Sequence, residues 1–413
     1  MIRRKKCLLL LAGAVVTLTV AGLFRSLTSH QVPGHWTPRK VFLAPAKYEA
    51  ETSHPVTVVV SPTGKNLIAE TLEEYAELLD FPSLRYRRLL SIIPEELIQP
   101  QDTEGFDRLM AKAKRGKVRW LEYLGYSIGS VTISGDGKWV AGIAHPPTMT
   151  AEYSPGRRFP HPTVFLWNSS DFPKRGLLPL RAIQFPELPF VSAVQFPPNS
   201  DHLWVWAFPE LRIYDPGQGS LLDSVSLEGL PREWQGQDTR FFGADRGAKV
   251  ITYDPGSAKT VFIYSVPSGR LMRRMDLSSV FGDAPSHLYN FAASPDGRWV
   301  AVYASQNWHL ISLDGSLHRV LPVEPPPIRP ASAFSPSGGL FVFQSLPCVL
   351  SLFSLHEDKI VGTYRVCNIP GLSLTAVVFS TDAEWLVVAG AVFDGGLGHI
   401  ATYNLRDLGV KPG

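Results

Sequence analysis

What this sequence has little of narrows it first. Only 19% of its 413 residues are charged, and Arg3, Arg4, Lys5 and Lys6 account for more than the whole formal balance of +3; without those four the rest stands at 3 − 4 = −1. A body so close to neutral lacks the dense basic surface from which nonspecific nucleic-acid affinity comes, so no nucleic-acid partner is expected. Cysteine is scarce, with three in the chain, and none of the eleven histidines lies in a cysteine cluster or forms the two-histidine helical pair of a zinc protease. His145 and His161 belong to the proline-rich stretch AHPPTMTAEYSPGRRFPHPT, read as a solvent-exposed loop. Phosphate-binding loops, dinucleotide fingerprints and complete calcium loops are missing, so neither metal nor cofactor is expected. Gly125, Ser127 and Gly129 match a nucleophile elbow, but that elbow joins a strand to a helix, and here VTIS continues as another strand. With no catalytic constellation, the chain is read as a non-enzyme.

Charge is missing altogether from CLLLLAGAVVTLTVAGLF, Cys7 to Phe24, which as a helix is long enough to cross most of a bilayer. Four cations precede it and only Arg25 follows closely, so the positive-inside rule keeps the N-terminus cytoplasmic and exports the remainder. Two readings stand: an uncleaved signal-anchor and a cleaved signal peptide. The anchor is favoured, because Thr19 and Val20 fit poorly in a small-residue cleavage site. Residues 1–25 are therefore assigned to this segment, 26–40 to a linker and 41–413 to the folded body. The expected location is a single-pass membrane protein with its body on the extracytoplasmic side.

What is abundant is glycine and proline, 34 and 35 residues, scattered between short apolar runs in the manner of many short strands joined by tight turns. One pattern recurs: apolar strand, polar turn, apolar strand. It reads VTVVVSPTGKNLIA from Val56, VTISGDGKWVAGIA from Val131, VQFPPNSDHLWVWA from Val194 and FFGADRGAKVITY from Phe241. It continues as FAASPDGRWVAVYA from Phe291, FSPSGGLFVFQS from Phe334 and FSTDAEWLVVAG from Phe379. Proline fixes φ at the first turn position, serine or aspartate bonds nearby amides, and glycine takes the left-handed conformation. A second hairpin follows most copies, at Trp167, Tyr214, Tyr264, Ile311, Phe353 and Tyr403. Two hairpins per repeat make a four-stranded unit of propeller-blade length.

On these residues the chain resembles the WD-repeat family and its relatives whose blades carry an SPDG turn. Ser294, Pro295, Asp296 and Gly297 match that turn fully, and Ser335, Pro336 and Gly338 nearly so. The resemblance runs from about Val56 to the C-terminus and implies an all-β, seven-bladed propeller that acts as a protein-interaction or scaffold module. Ring closure is expected through Val41 to Leu43, or Val56 to Val60, completing the last blade.

Residues 70–120 read as a helical insertion in the first blade. Leu72, Tyr75, Ala76 and Leu79 have helical spacing after a Thr71/Glu74 capping box, and further helices are expected over Leu84 to Ile93 and Glu104 to Arg115. Arg108, Lys112, Lys114 and Arg115 on the third mark it as a partner-docking device; the alternative is that the helices only cover a blade edge. Cys348 and Cys367 flank an apolar hairpin whose turn centres between Glu357 and Asp358, equidistant from both. A disulfide and two buried free thiols are both open, and the turn type decides which pair the two residues form. The leading function is docking of protein partners by a membrane-tethered propeller. The alternative is an enzyme or small-molecule binder using the central channel, where the candidates Asp245, His287 and Asn290 form no recognisable set. A purely architectural envelope element is the third.

Overall fold

A computed structural model of the chain describes residues 42–43, 46–52, 55–61, 63–71, 76–90, 127–145, 161–169, 180–188, 191–198, 200–230, 241–254, 259–278, 290–304, 306–323, 330–367, 372–392 and 397–410. The chain divides into two units, Met1–Lys40 and Val41–Gly413, and every described residue belongs to the second. Its strands form seven sheets.

Five of these blades are built from four consecutive strands. Blade 1 comprises Pro55–Val60, Asn66–Thr71, Ala76–Asp80 and Tyr86–Leu90. Blade 2 comprises Ser127–Ile133, Trp139–His145, Thr163–Asn168 and Arg181–Gln184. Blade 3 follows with Ala193–Gln195, Leu203–Ala207, Glu210–Asp215 and Ser220–Ser226. Blade 4 has Phe241–Ala244, Lys249–Tyr253, Thr260–Ser265 and Leu271–Asp276. Blade 5 has Asn290–Ala293, Trp299–Ala304, Asn307–Ser312 and His318–Pro322. Each of the seven turn motifs is the first hairpin of a blade.

The last two blades borrow strands. Blade 6 has four of its own, Ser332–Phe334, Leu340–Leu346, Val349–Ser354 and Lys359–Arg365, with Phe42–Leu43 added in parallel as a fifth. Blade 7 has only Leu372–Phe379, Trp385–Val392 and Leu397–Asn404; its outermost strand is Tyr48–Thr52, antiparallel to the last of these. Closure therefore comes from a segment between the two that the sequence suggested. Of Val41 to Leu43, the described Phe42–Leu43 falls beside blade 6, and Val56 to Val60 belongs to the first strand of blade 1.

Blades are buried on both faces, which is why their strands read as continuous apolar runs rather than alternating ones. In Trp299–Ala304, Val300, Val302 and Ala304 pack toward blade 4, while Ala301 and Tyr303 pack toward blade 6. Seven such clusters join each blade to the next, and the last joins Val387, Ala389 and Ile400 of blade 7 to Val58, Leu67 and Leu79 of blade 1. First strands of consecutive blades also touch all the way round, so the ring closes on itself.

The helices expected over Thr71 to Asp80 and Leu84 to Ile93 are replaced by the outer two strands of blade 1. Leu78 faces blade 2 and Leu79 faces blade 7, each almost wholly buried. A helix there would bury one stripe, whereas a strand between two blades buries both faces. The third expected helix, with Arg108, Lys112, Lys114 and Arg115, lies outside the described residues. Among the described residues no helix is long and apolar enough to cross a membrane; Cys7 to Phe24 lies outside them.

Candidate functional site

The site is assembled from the repeat turns. In blade 5, Ser294 Oγ donates to Asp296 Oδ1 at 2.5 Å and accepts the Trp299 amide at 2.9 Å. Asp296 Oδ1 also accepts the Arg298 amide at 3.1 Å. Gly297, at φ +67°, donates its amide to the Ser294 carbonyl. The same net recurs with Ser134, Asp136 and Trp139 in blade 2 and with Ser380, Asp382 and Trp385 in blade 7. In blade 6 Ser337 takes the aspartate's place, Pro336 precedes it, and Ser335 still accepts the Leu340 amide at 3.0 Å. Asp136 and Asp296 are thus turn formers, as the sequence suggested, and Asp314 plays the same part with Ser312 in the outer hairpin of blade 5.

The turn glycines also serve the ring. A Cβ on Gly338 would lie 2.7 Å from the Asp296 carboxylate of the preceding blade, and one on Gly137 would lie 2.7 Å from Thr63. Each of these glycines is where one blade's turn abuts the turn before it. Pro295 joins in through its carbonyl, which accepts the Asp245 amide of blade 4 at 2.9 Å.

Packed side by side, the turns of blades 4, 5 and 6 enclose a groove of about 770 Å³. Asp296, Gly297 and Gly338 line it, so part of the predicted turn set is brought together there; Ser294 and Ser335 lie fully buried beneath. Its apolar surface includes Met272 and Leu317, which are 55% and 42% exposed. Its charges are balanced locally: Lys249 pairs with Asp245 at 2.9 Å, Arg298 lies 3.8 Å from Asp296, and Arg273 donates to the Asp314 carbonyl at 2.8 Å. The Ser312 and Ser316 hydroxyls and the Ser316 amide hold the Asp314 carboxyl down to about 2. Apolar surface here lies within a charged rim.

Beside the groove, on the face of blade 5 toward blade 4, two histidines meet across strands. His309 Nδ1 lies 3.1 Å from His318 Nε2, with the rings stacked. Burial, then the His318 charge, push His309 down to about 4 against a backbone hydrogen bond with Ala304 that favours its proton. Sequence reading missed this pair, because it requires the exact register of the outer hairpin, Ile311 opposite His318. It also missed Arg212, which lies over the Phe185 ring and donates to Glu187 and Glu210; Met272 and Leu317 were legible only as apolar residues in an outer hairpin.

Cys348 and Cys367 are joined as a disulfide, with Cα atoms 5.3 Å apart. They are not the directly opposed pair that the sequence suggested. The hairpin turn closes at Ser354 and Lys359, and a bulge after Leu352 shifts the register, so Cys348 stands opposite Val366, whose amide it accepts at 2.8 Å. The bridge spans the diagonal instead.

The channel candidates separate. Asp245 lies in the first turn of blade 4, Asn290 Nδ2 donates to the Pro330 carbonyl at 2.9 Å, and His287 lies outside the described residues. Ser127 opens the first strand of blade 2, and that strand leads into another strand, so the elbow-like motif has no helix to follow it. His161 precedes the third strand of blade 2, and His145 ends the second. Among the described residues, no group of three or more histidine, cysteine, aspartate or glutamate side chains is placed to hold a metal ion.

No protein-family model and no curated protein matches this chain by sequence. Among solved structures, the β-propeller domain of Cps50 (Swd1) from Myceliophteria thermophila superposes with a TM-score of 0.55 at 13% identity, over 87% of this chain and 99% of that one. At that identity the likeness shows the fold alone: the chain is a seven-bladed β-propeller.

Proposed function

We propose that this chain is a membrane-tethered, extracytoplasmic propeller that docks protein partners on its turn face and catalyses no reaction. The observation that carries the reading is the groove across blades 4 to 6, where Met272 and Leu317 stay exposed on a frame locked by the turn bonds. Exposed apolar surface rimmed by polar groups is a usual mark of an interaction site. Tethering is supported by the uncharged run from Cys7 to Phe24 behind four cations. Export is supported by the Cys348–Cys367 bond, since disulfides persist in oxidising compartments. Arg108, Lys112, Lys114 and Arg115 are proposed as a second contact.

The test is capture of partners by the full chain from detergent-solubilised membranes, with a photo-crosslinker at Met272. The double variant Met272→Glu, Leu317→Glu is expected to lose partners while keeping the wild-type unfolding midpoint; retention of every partner contradicts the groove. The basic set is tested by charge reversal rather than by deleting 70–115, because Ala76–Asp80 and Tyr86–Leu90 are strands of blade 1. Protease protection in spheroplasts tests the compartment: an exposed body supports export, and a protected one contradicts it.

A further inference from the structure

Independently of the docking role, the geometry points to a divalent transition-metal site at His309 and His318, on the outer hairpin of blade 5. Imidazole nitrogens bind zinc, copper and nickel, at about 2.0–2.1 Å for zinc. Two nitrogens 3.1 Å apart that each reach that distance enclose the ion at an angle of about 100°, between square and tetrahedral values. The spacing therefore suits a shared ion without movement of the strands; only the rings turn from facing each other to facing the ion.

The two residues divide the work. His309 is 5% exposed and held in the third strand between Trp308 and Leu310, which pack toward blade 6. His318 starts the outer strand, is exposed, and lies diagonally across the ladder from His309, whose direct partner is Val320. It supplies the movable ligand and leaves the remaining coordination positions to water, so the site binds exchangeably rather than as a closed structural centre. Ion binding pins the outer strand to the third one. Because Leu317, next to His318, lines the groove, the ion is placed to stiffen the groove's edge.

The test uses the full chain in detergent, stripped with chelator and titrated calorimetrically with zinc sulfate at neutral pH, beside His318→Ala and His318→Gln; the exposed position spares the fold, and glutamine keeps a polar side chain there. Affinity for one zinc equivalent is expected to fall at least about tenfold in both variants, as when a ligand or its support is removed. Zinc is also expected to raise the unfolding temperature of the wild type and not of the variants. Equal zinc affinity in all three chains, or an unfolding temperature that zinc raises equally in all, overturns the site, as does the absence of wild-type binding at millimolar zinc.

Discussion

Blades 6 and 7 each receive a piece of the same N-terminal stretch, and they use it differently. Blade 6 is complete without it: among the described residues Phe42–Leu43 pairs with Tyr364 and Arg365, outside four strands whose last two are tied by the Cys348–Cys367 bond. Blade 7 is incomplete without it, because Tyr48–Thr52 pairs residue by residue from Thr402 to Gly398 and supplies the fourth strand. One segment covers an edge and the next closes the ring. The difference lies in strand order: blade 6 takes its four strands in succession, whereas blade 7 combines three successive strands with Tyr48–Thr52 from far earlier in the sequence. A closed ring packs every blade between two neighbours, and here Tyr48–Thr52 completes the blade that meets blade 1.

The largest effect expected from this contrast is on stability. Deleting Tyr48–Thr52 is expected to cost about 5 kcal/mol, at roughly 1 kcal/mol for each lost backbone bond, while deleting Phe42–Leu43 costs about 1 kcal/mol or less. Urea unfolding midpoints measure both, and equal losses would break the comparison. Next comes the covalent tie. Replacing Cys348 and Cys367 by serine opens a loop of 19 residues and is expected to cost about 3 kcal/mol by the chain-entropy account; an unchanged midpoint would show that blade 6 does not depend on its bridge.

The turns sharpen the contrast further. Blade 6 has Gly338 at φ +74°, with the Asp296 carboxylate against its open side; blade 7 has Ala383 at φ +54° in the corresponding place. Gly338→Ala is expected to destabilise by about 1–3 kcal/mol through crowding and left-handed strain. Ala383→Gly is expected to stabilise by up to about 1 kcal/mol, since only glycine occupies that region freely. Opposite signs in thermal unfolding support the assignment; the same sign contradicts it. The smallest effect is electrostatic. In blade 6, Asp358 is held below its ordinary value first by hydrogen bonding from Arg319 of blade 5. A depressed carboxyl stabilises above its unfolded value and loses that contribution as pH falls through its folded one, so acid weakens this tie below pH 3.8. Asp358→Asn is expected to flatten that acid limb, and an unaltered limb would remove the ion pair from the account.

Much of the architecture was legible because a blade's first turn is local chemistry. Ser294 to Trp299 contains every group that the turn needs, so the motif announces itself wherever it recurs. The outer strands of blade 1 were misread because Leu72, Tyr75, Ala76 and Leu79 satisfy a helical period, while burial of both Leu78 and Leu79 between two blades leaves no strand alternation to detect. Closure was misplaced because Tyr48–Thr52, YEAET, carries two glutamates and no apolar run. The groove was invisible for another reason: its parts come from three blades, brought together by turn-to-turn contacts at Gly338 and Asp296 and at Pro295 and Asp245.

Ring closure through the N-terminal strand is tested most directly by the paired substitution Glu49→Cys, Ala401→Cys, whose positions are partners in the ladder. Under mild oxidation, peptide mass spectrometry is expected to find residue 49 linked to residue 401, with Cys348 still linked to Cys367. If that peptide pair is missing while the native bridge is present, the last blade is not closed from the beginning of the chain.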